Sequence, residues 1–394
     1  MAENRMKIVA GLGSIEEYIR FCEAGADEFF AGYVPYEWNR KYGTLMSLNR
    51  REVFCSNVQL GAFSELEILA AMVQKYKRPV HLTFNALYYL PEQYPEIADI
   101  IKHCMELGYQ TFIVADPALI VYLRAQKIDC QIHLSGETGE VNSRMLSVFQ
   151  EYGIQRLIFH RKNSFSDMRS VIRNGKREGK TLEYEAFVLN ELCQFSGAFC
   201  NSLHCDEMGY LCRVPYCLGP LRRGKMQVYG VKAEGQNIEE QDNEEWNVKA
   251  MGDRELADKA HNIEAWNDRE RYAEDGYLCG ATGCGLCALY QLQKAGVTHL
   301  KLVGRGNYVD FMERDIRNLK RALEILQESV RSAGLNAAGG IPTDEIATRK
   351  VARNAGTCLE EFYKRQMKQE LFPHGCSGNC YYREASLGKS AAGS

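Results

Sequence analysis

Fifteen cysteines stand in a chain of 394 residues. Eight of them, Cys193, Cys200, Cys205, Cys212, Cys217, Cys279, Cys284 and Cys287, fall between Glu183 and Cys287. In a reducing compartment an odd and locally dense set of thiols points to ligation rather than to a disulfide framework. Zinc ribbons want pairs separated by two to four residues, a pattern that Cys193, Cys200 and Cys217 do not follow. Iron–sulfur clusters take four thiolates and tolerate wider, uneven spacing. In CGATGCGLC, Cys279, Cys284 and Cys287 share a short glycine-rich loop whose backbone can wrap closely around an inorganic core. Cys376 and Cys380, four apart in a Gly/Ser/Asn turn, are spaced so that one turn can aim both sulfurs at one point. Spacing alone leaves zinc open. Cys22, Cys55, Cys104 and Cys130 sit singly among apolar neighbours and read as small buried hydrophobes.

What must position these thiols is a repeating strand–helix beat. Lys7 to Gly11 is a short apolar run closed by glycine, followed by SIEEYIRFCEAG, whose Ser14 and Glu17 predict a capping box. ADEFFAG is a second strand, and Ser64 with Glu67 predicts a second box opening the next helix. RPVHLTFNAL, TFIVAD, CQIHLSGE and RLIFHRKN repeat the beat, each followed by a helical segment. Leu182 to Leu189 is strand seven; its helix is delayed until Leu286 to Gly296 and leads into THLKLVGR and a long amphipathic helix from Tyr308 to about Arg331. Near-continuous apolar strands predict a parallel sheet buried on both faces and closed on itself, an α/β fold of the (β/α)8 TIM-barrel type. An open doubly wound sheet is the runner-up, disfavoured because no phosphate-binding glycine motif follows any strand.

The expected layout is residues 1–189 for barrel strands one to seven and 190–285 for a Cys-rich insertion in the seventh βα loop. Residues 286–331 supply helix seven, strand eight and helix eight, and 332–394 form a Cys-containing C-terminal extension. The charged stretch from Lys232 to Gly276 reads either as a lid or as a solvated surface excursion. The formal net charge is −3, so global electrostatics demand neither nucleic acid nor a membrane surface, although Leu218 to Lys225 form a local basic run. No apolar run of leader length opens the chain and none approaches a membrane span, so a cytoplasmic protein with no membrane span is expected.

Barrel chemistry sits at the carboxyl ends of the strands. By position, Asn85, Asp116, His133, Ser135, His160, Arg161, Glu185 and Arg305 qualify. We read Glu185, Arg161, Arg305 and His133 as the catalytic set and Asn85, Asp116, Ser135 and His160 as substrate-binding. Two guanidinium groups converging on one mouth need carboxylates or an anionic substrate to offset their desolvation. Glu185 is either a proton-transfer group or the ion-pair partner of one of these arginines, and His133 and His160 can equally be hydrogen-bonded core histidines. Tyr33, Tyr36, Trp38 and Tyr42 in the second βα loop can stack on a planar substrate or pack the loop down. No GxSxG elbow, no HExxH and no cysteine with an obvious histidine partner supports proteolysis.

At these residues the chain resembles the U32 family, the collagenase-like peptidases. KIVAGLGSIEEYIRFCEAGADEFFAG resembles the family's N-terminal repeat, HLSGETGEVNSRMLSVFQEYGIQRLIFHRK its middle, EYEAFVLNELCQFSGAFC its signature and AGVTHLKLVGRGNYVDFMERDIRNLKRAL its close. The resemblance implies a 4Fe–4S cluster on Cys193, Cys200, Cys217 and Cys284. It implies oxygen-independent hydroxylation, in several members, of a pyrimidine in RNA or of a quinone-precursor ring, with a dependence on prephenate in some RNA-modifying members. Leu189 and Asn190 replace the family's histidine and glycine, Lys162 replaces a glutamate and Val303 another, which points to a different substrate.

The cysteines left over, Cys279, Cys287, Cys376 and Cys380, form a second candidate cluster set, with zinc or unligated thiols as the alternative and Cys205, Cys212 and Cys358 in reserve. The expectation is therefore an iron–sulfur oxidoreductase acting on a small aromatic or nucleobase-containing substrate, with an electron donor or paralogous subunit as a candidate partner. An electron-transfer or scaffold protein is the alternative, and peptidase activity ranks below both.

Overall fold

The computed structural model describes residues 5–43, 48–49, 58–138, 142–177, 182–193, 275–336 and 345–385. Cys55, Cys200, Cys205, Cys212 and Cys217 and the charged stretch preceding Asp275 lie outside the described residues.

Eight parallel strands close into a barrel in sequence order: β1 (Lys7–Leu12), β2 (Glu28–Gly32), β3 (Val80–Phe84), β4 (Thr111–Val114), β5 (Gln131–Leu134), β6 (Ile154–Ile158), β7 (Glu183–Leu189) and β8 (His299–Leu302). The barrel shuts where Lys7 to Ala10 of β1 pair with His299 to Leu302 of β8. Nearly every strand residue is buried, which is why these runs read as apolar without alternation. Around the barrel lie α1 (Glu17–Ala24), α2 (Tyr36–Tyr42), α3 (Phe63–Tyr76), α4 (Gln93–Glu106), α5 (Pro117–Ala125), α6 (Ser143–Gln150), α7 (Phe165–Arg177), α8 (Leu289–Ala295) and α9 (Val309–Asn336). The fold expected from strand patterning is the fold observed.

Local details differ from expectation. Ser14 does not cap α1; instead Glu17 accepts the Gly13 N–H at 2.8 Å. The second helix cap also moves, since α3 starts one residue before Ser64 and Glu65 accepts the N–H groups of Gly61 and Ala62. Only that half of a capping box can exist, because Ala62 has no side-chain acceptor. Strand β6 starts and ends earlier than RLIFHRKN suggests, so His160 and Arg161 stand past its end.

Beyond α9, the helix α10 (Glu345–Leu371) packs against α9, and buried Tyr363 donates to the Leu286 carbonyl at 2.7 Å. This contact brings the C-terminal segment onto the loop that returns to the barrel after β7. Among the described residues no helix is long and apolar enough to cross a membrane.

Candidate active site and thiol pocket

Charge fills the middle of the barrel. Arg156 on β6, 2% exposed, reaches Glu28 at 2.7 Å, Glu183 at 2.7 Å and Glu185 at 2.9 Å. Lys301 on β8 closes on the other oxygen of Glu185 at 2.8 Å and lies over the Phe30 ring at 3.8 Å. Glu28 also meets His81 at 3.1 Å and His299 at 3.2 Å. Burial raises the Glu185 carboxyl, but Lys301 and Arg156 outweigh it and hold the group at about 2. Glu185 is thus an ionised member of a buried network, paired with Arg156 and Lys301 and not with the arginines at the mouth.

His133 enters the same interior from β5. Its ring meets that of His81 edge-on at 4.6 Å between centroids, and burial, with His81 and Arg156 nearby, keeps it well below the ordinary imidazole range. Nδ1 of each histidine is buried with no hydrogen-bond partner among the described residues. Arg156, Lys301, Glu28, His81 and His299 escaped the sequence reading because they sit inside strands taken as apolar. The signal was present all the same, since charged side chains are almost never fully buried unless paired.

The mouth is built just past the strand ends. Arg161 stacks on the Phe187 ring at 4.0 Å and donates to Glu137 at 3.1 Å, while its buried Nε has no partner among the described residues. Arg305, in the turn after β8, reaches Gln59 at 3.3 Å and Thr83 at 3.4 Å. Two glycines make its path: a Cβ on Gly11 would come within 2.9 Å of the Arg305 Cγ, and one on Gly32 would collide with Gln59 Oε1 and an Arg305 guanidinium nitrogen. Of the polar candidates, Asp116 caps α5 through the Ala118 N–H at 2.9 Å and accepts from Tyr94 at 2.8 Å. Ser135 accepts the Glu137 N–H at 3.2 Å and His160 Nδ1 accepts that of Lys162 at 3.2 Å, so both shape their own turns. Asn85 is half-buried just past β3. In the second βα loop Trp38 is buried and Tyr42 packs on it at 4.6 Å, whereas Tyr36 is exposed.

At the end of β7 the backbone turns left-handed at Asn190 (φ 66°) and Glu191 (φ 49°). That conformation explains why a glycine suits position 190 in the family pattern and why asparagine, the side chain best tolerated there, can replace it. Asn190 is further held by Asp315 at 2.7 Å. Cys193 follows, close to Arg161 and Tyr381. The returning segment clips onto the strand end it left: Gly285 N–H to Val188 at 2.7 Å, Asn190 N–H to Gly283 at 2.9 Å and Leu192 N–H to Thr282 at 2.8 Å.

Four thiols then share one pocket. Cys284, Cys287, Cys376 and Cys380 line it together with Lys368 and Phe372. Cys279 is not among them; it is buried beside Tyr277, Asn318 and Asp315, which engage its thiol. The pocket therefore draws Cys284 in beside Cys287, Cys376 and Cys380, and leaves Cys279 out. No three His, Cys, Asp or Glu side chains among the described residues converge closely enough to share one metal ion. A polynuclear cluster asks less, because each iron takes its own thiolate.

A closed parallel barrel with arginines, a cysteine and aromatic rings at the carboxyl ends of its strands defines a (β/α)8 protein with its candidate site at that face. The chain belongs to peptidase family U32, whose model matches residues 13–372. It is 23% identical over 199 residues to tRNA hydroxylation protein P1 of Bacillus subtilis (strain 168), covering 50% of this chain and 42% of that protein. It is 26% identical over 174 residues to tRNA hydroxylation protein P of Escherichia coli (strain K12), covering 44% and 34%. The chain thus matches less than half the length of either relative. A solved structure, that of the U32 peptidase Mk0906, is similar at 14% identity and a TM-score of 0.37, covering 50% of this chain and 75% of that one.

Proposed function

We propose that this protein is an iron–sulfur enzyme that hydroxylates a nucleobase or another aromatic ring without molecular oxygen. The observation that carries the reading is the arrangement of Arg161 on Phe187 beside Cys193, with one buried guanidinium nitrogen unpartnered among the described residues. A buried unpaired donor of a cation costs free energy unless a ligand accepts from it. A flat ring bearing an anionic or carbonyl oxygen satisfies both the nitrogen and the aromatic wall. Two relatives carry tRNA hydroxylation in their names, which favours an RNA base as the ring.

The thiolates that the resemblance selects are Cys193, Cys200, Cys217 and Cys284, of which Cys193 lies at the mouth. When bound, the cluster supplies electron exchange and a Lewis-acidic iron. The chain's own residues do the rest. Arg161 and Arg305 orient the anionic part of the substrate, and Phe187 and Phe30 wall off water. The ionised Glu185 keeps Lys301 and Arg156 compensated beneath the site. Replacing a ring C–H by C–OH removes two electrons from the ring, so an organic oxygen donor or a separate acceptor takes them up. The alternative, an electron-transfer protein working with a partner, is favoured by one observation, the pocket lined by four thiols.

The test is anaerobic incubation of the iron-loaded chain with unmodified tRNA and an organic oxygen donor such as prephenate, reading nucleosides by mass spectrometry. Gain of one oxygen atom on a base is the expected result, reduced at least tenfold in Arg161→Ala. An iron-loaded chain that adds no oxygen to any base or quinone-precursor ring overturns the reading.

A further inference from the structure

The C-terminal segment brings two thiols to a place where the barrel already presents two. Cys284 and Cys287 come from the loop that returns to the barrel, and Cys376 and Cys380 from the turn after α10. Ordinary surface turns do not meet in this way, and here the backbone enforces it. Cys284 N–H donates to Asn379 at 2.8 Å and Tyr381 N–H donates to Cys284 at 2.8 Å, so Cys284 and Cys380 form a parallel bridge. Ser377 Oγ and Asn379 Nδ2 fasten the turn to the Gly280 and Ala281 carbonyls at 2.9 and 2.6 Å. Gly280 has to be glycine, because a Cβ there would stand 2.6 Å from that of Cys284 and its φ is 63°. Gly375 and Gly378 take positive φ as the turn wraps.

We infer that Cys284, Cys287, Cys376 and Cys380 hold a polynuclear iron–sulfur cluster of their own, separate from the one at the barrel mouth. The chemistry of the donor set selects it: four sulfurs, two sequence pairs of C-x2-C and C-x3-C type, and no carboxylate or imidazole donor in the lining, where the one phenol, Tyr382, donates to the Phe187 carbonyl instead. No three of these donors converge tightly enough for one ion, which disfavours mononuclear zinc. Lys364, Lys368 and Arg383 place positive charge around the thiols and compensate the net negative charge of a four-thiolate cluster. Four protein thiolates leave no open iron, so the site stores and passes electrons and does not bind substrate. Tyr381, adjacent to Cys380, contacts Arg161 and donates to the Asn190 carbonyl, so one dipeptide joins this pocket to the mouth. Assigning Cys284 here departs from the resemblance, which gives it to the cluster at the mouth, and leaves that cluster with Cys193, Cys200 and Cys217.

The test is iron and acid-labile sulfide analysis of the full chain purified without oxygen, comparing wild type, Cys376→Ala/Cys380→Ala, Cys284→Ala and Cys193→Ala. The tail pair and Cys284→Ala are each expected to lose about four irons per chain and keep the rest, while Cys193→Ala loses only the iron of the mouth cluster and leaves Cys376 and Cys380 protected from alkylation. Iron and sulfide unchanged in the tail pair, or zinc in place of iron, overturns the inference. Should only Cys193→Ala lose iron, this cluster falls and the hydroxylase reading stands; loss confined to the tail variants supports this cluster and counts against the one at the mouth. Because the tail variant can misfold, the wild-type chain supplies a second readout by alkylation and peptide mapping. Cys284, Cys287, Cys376 and Cys380 are expected to resist iodoacetamide together and to become reactive together once a chelator strips the iron. Alkylation of Cys376 or Cys380 in the iron-loaded chain overturns the proposal.

Discussion

Cys284 and Cys380, ninety-six positions apart, face each other as bridged backbone partners, the first donating its N–H to the residue before the second. Their pairing fixes the C-terminal turn through the backbone, so the turn's own anchors should contribute to stability. The Asn379 side chain donates to the Ala281 carbonyl at 2.6 Å in a half-buried setting. Asn379→Ala is expected to cost about 1–2 kcal/mol, the usual range for an internal hydrogen bond whose partner is left behind. Urea unfolding of the metal-free chain measures it, and Cys376 and Cys380 in the variant should alkylate faster than in wild type.

The barrel interior calls for a different experiment. Glu185 shares Lys301 and Arg156, all three buried, so Glu185→Leu strands two cations and is expected to cost about 3–5 kcal/mol. Adding Lys301→Met removes one stranded charge. The double variant should lose clearly less than the sum of the two single losses, as a double-mutant cycle by equilibrium unfolding would show. Strict additivity would mean that Lys301 and Glu185 do not stabilise one another.

Much of this architecture was legible because parallel strands buried on both faces write themselves as unbroken apolar runs, and KIVAG, TFIVAD and EYEAFVL are such runs. Helix starts were less legible. Ser14 and Ser64 look like caps, yet glutamates reaching back to free N–H groups, Glu17 and Glu65, do the capping. Within the candidate site, Arg161 and Arg305 could be placed from their positions just past strand ends. Arg156 and Lys301 could not, because a lone charge inside an apolar run does not name its partner, and Glu28 lies over a hundred residues from Arg156. The division of Cys279 from Cys284 was also invisible, since one loop holds both and only packing sends one thiol toward Asp315 and the other toward the tail.

Glu17 gives a pH dependence whose sign is fixed. Burial lifts its carboxyl from 4.5 to about 7, even though the Gly13 and Ser14 N–H groups favour the charged form. Between these values the folded chain keeps a proton that the unfolded chain has released, so this group's contribution is present below about pH 4.5 and is lost as pH rises through 7. The loss is at most about 3 kcal/mol at 1.36 kcal/mol per pKa unit. Glu17→Gln retains an acceptor for Gly13 and should flatten this share of the dependence. Urea midpoints at pH 5 and pH 8 are expected to differ more in wild type than in the variant.

Gly32 links the fold to the site most directly. Its backbone is one that other residues can adopt, but a Cβ there would occupy the space of the Arg305 guanidinium and Gln59. Gly32→Ala must therefore move Arg305 while leaving β2 paired to its neighbours on both sides. Displacing an orienting group by about 1 Å can cost on the order of 100-fold in rate. The variant is expected to unfold within a few degrees of wild type and to bind as much iron as wild type, yet to lose the proposed hydroxylation by roughly that factor. Arg305→Ala should give a similar loss, and combining the two should add little, because both changes remove the same guanidinium from the same place. Full turnover in Gly32→Ala would show that Arg305 plays no part in orienting the substrate.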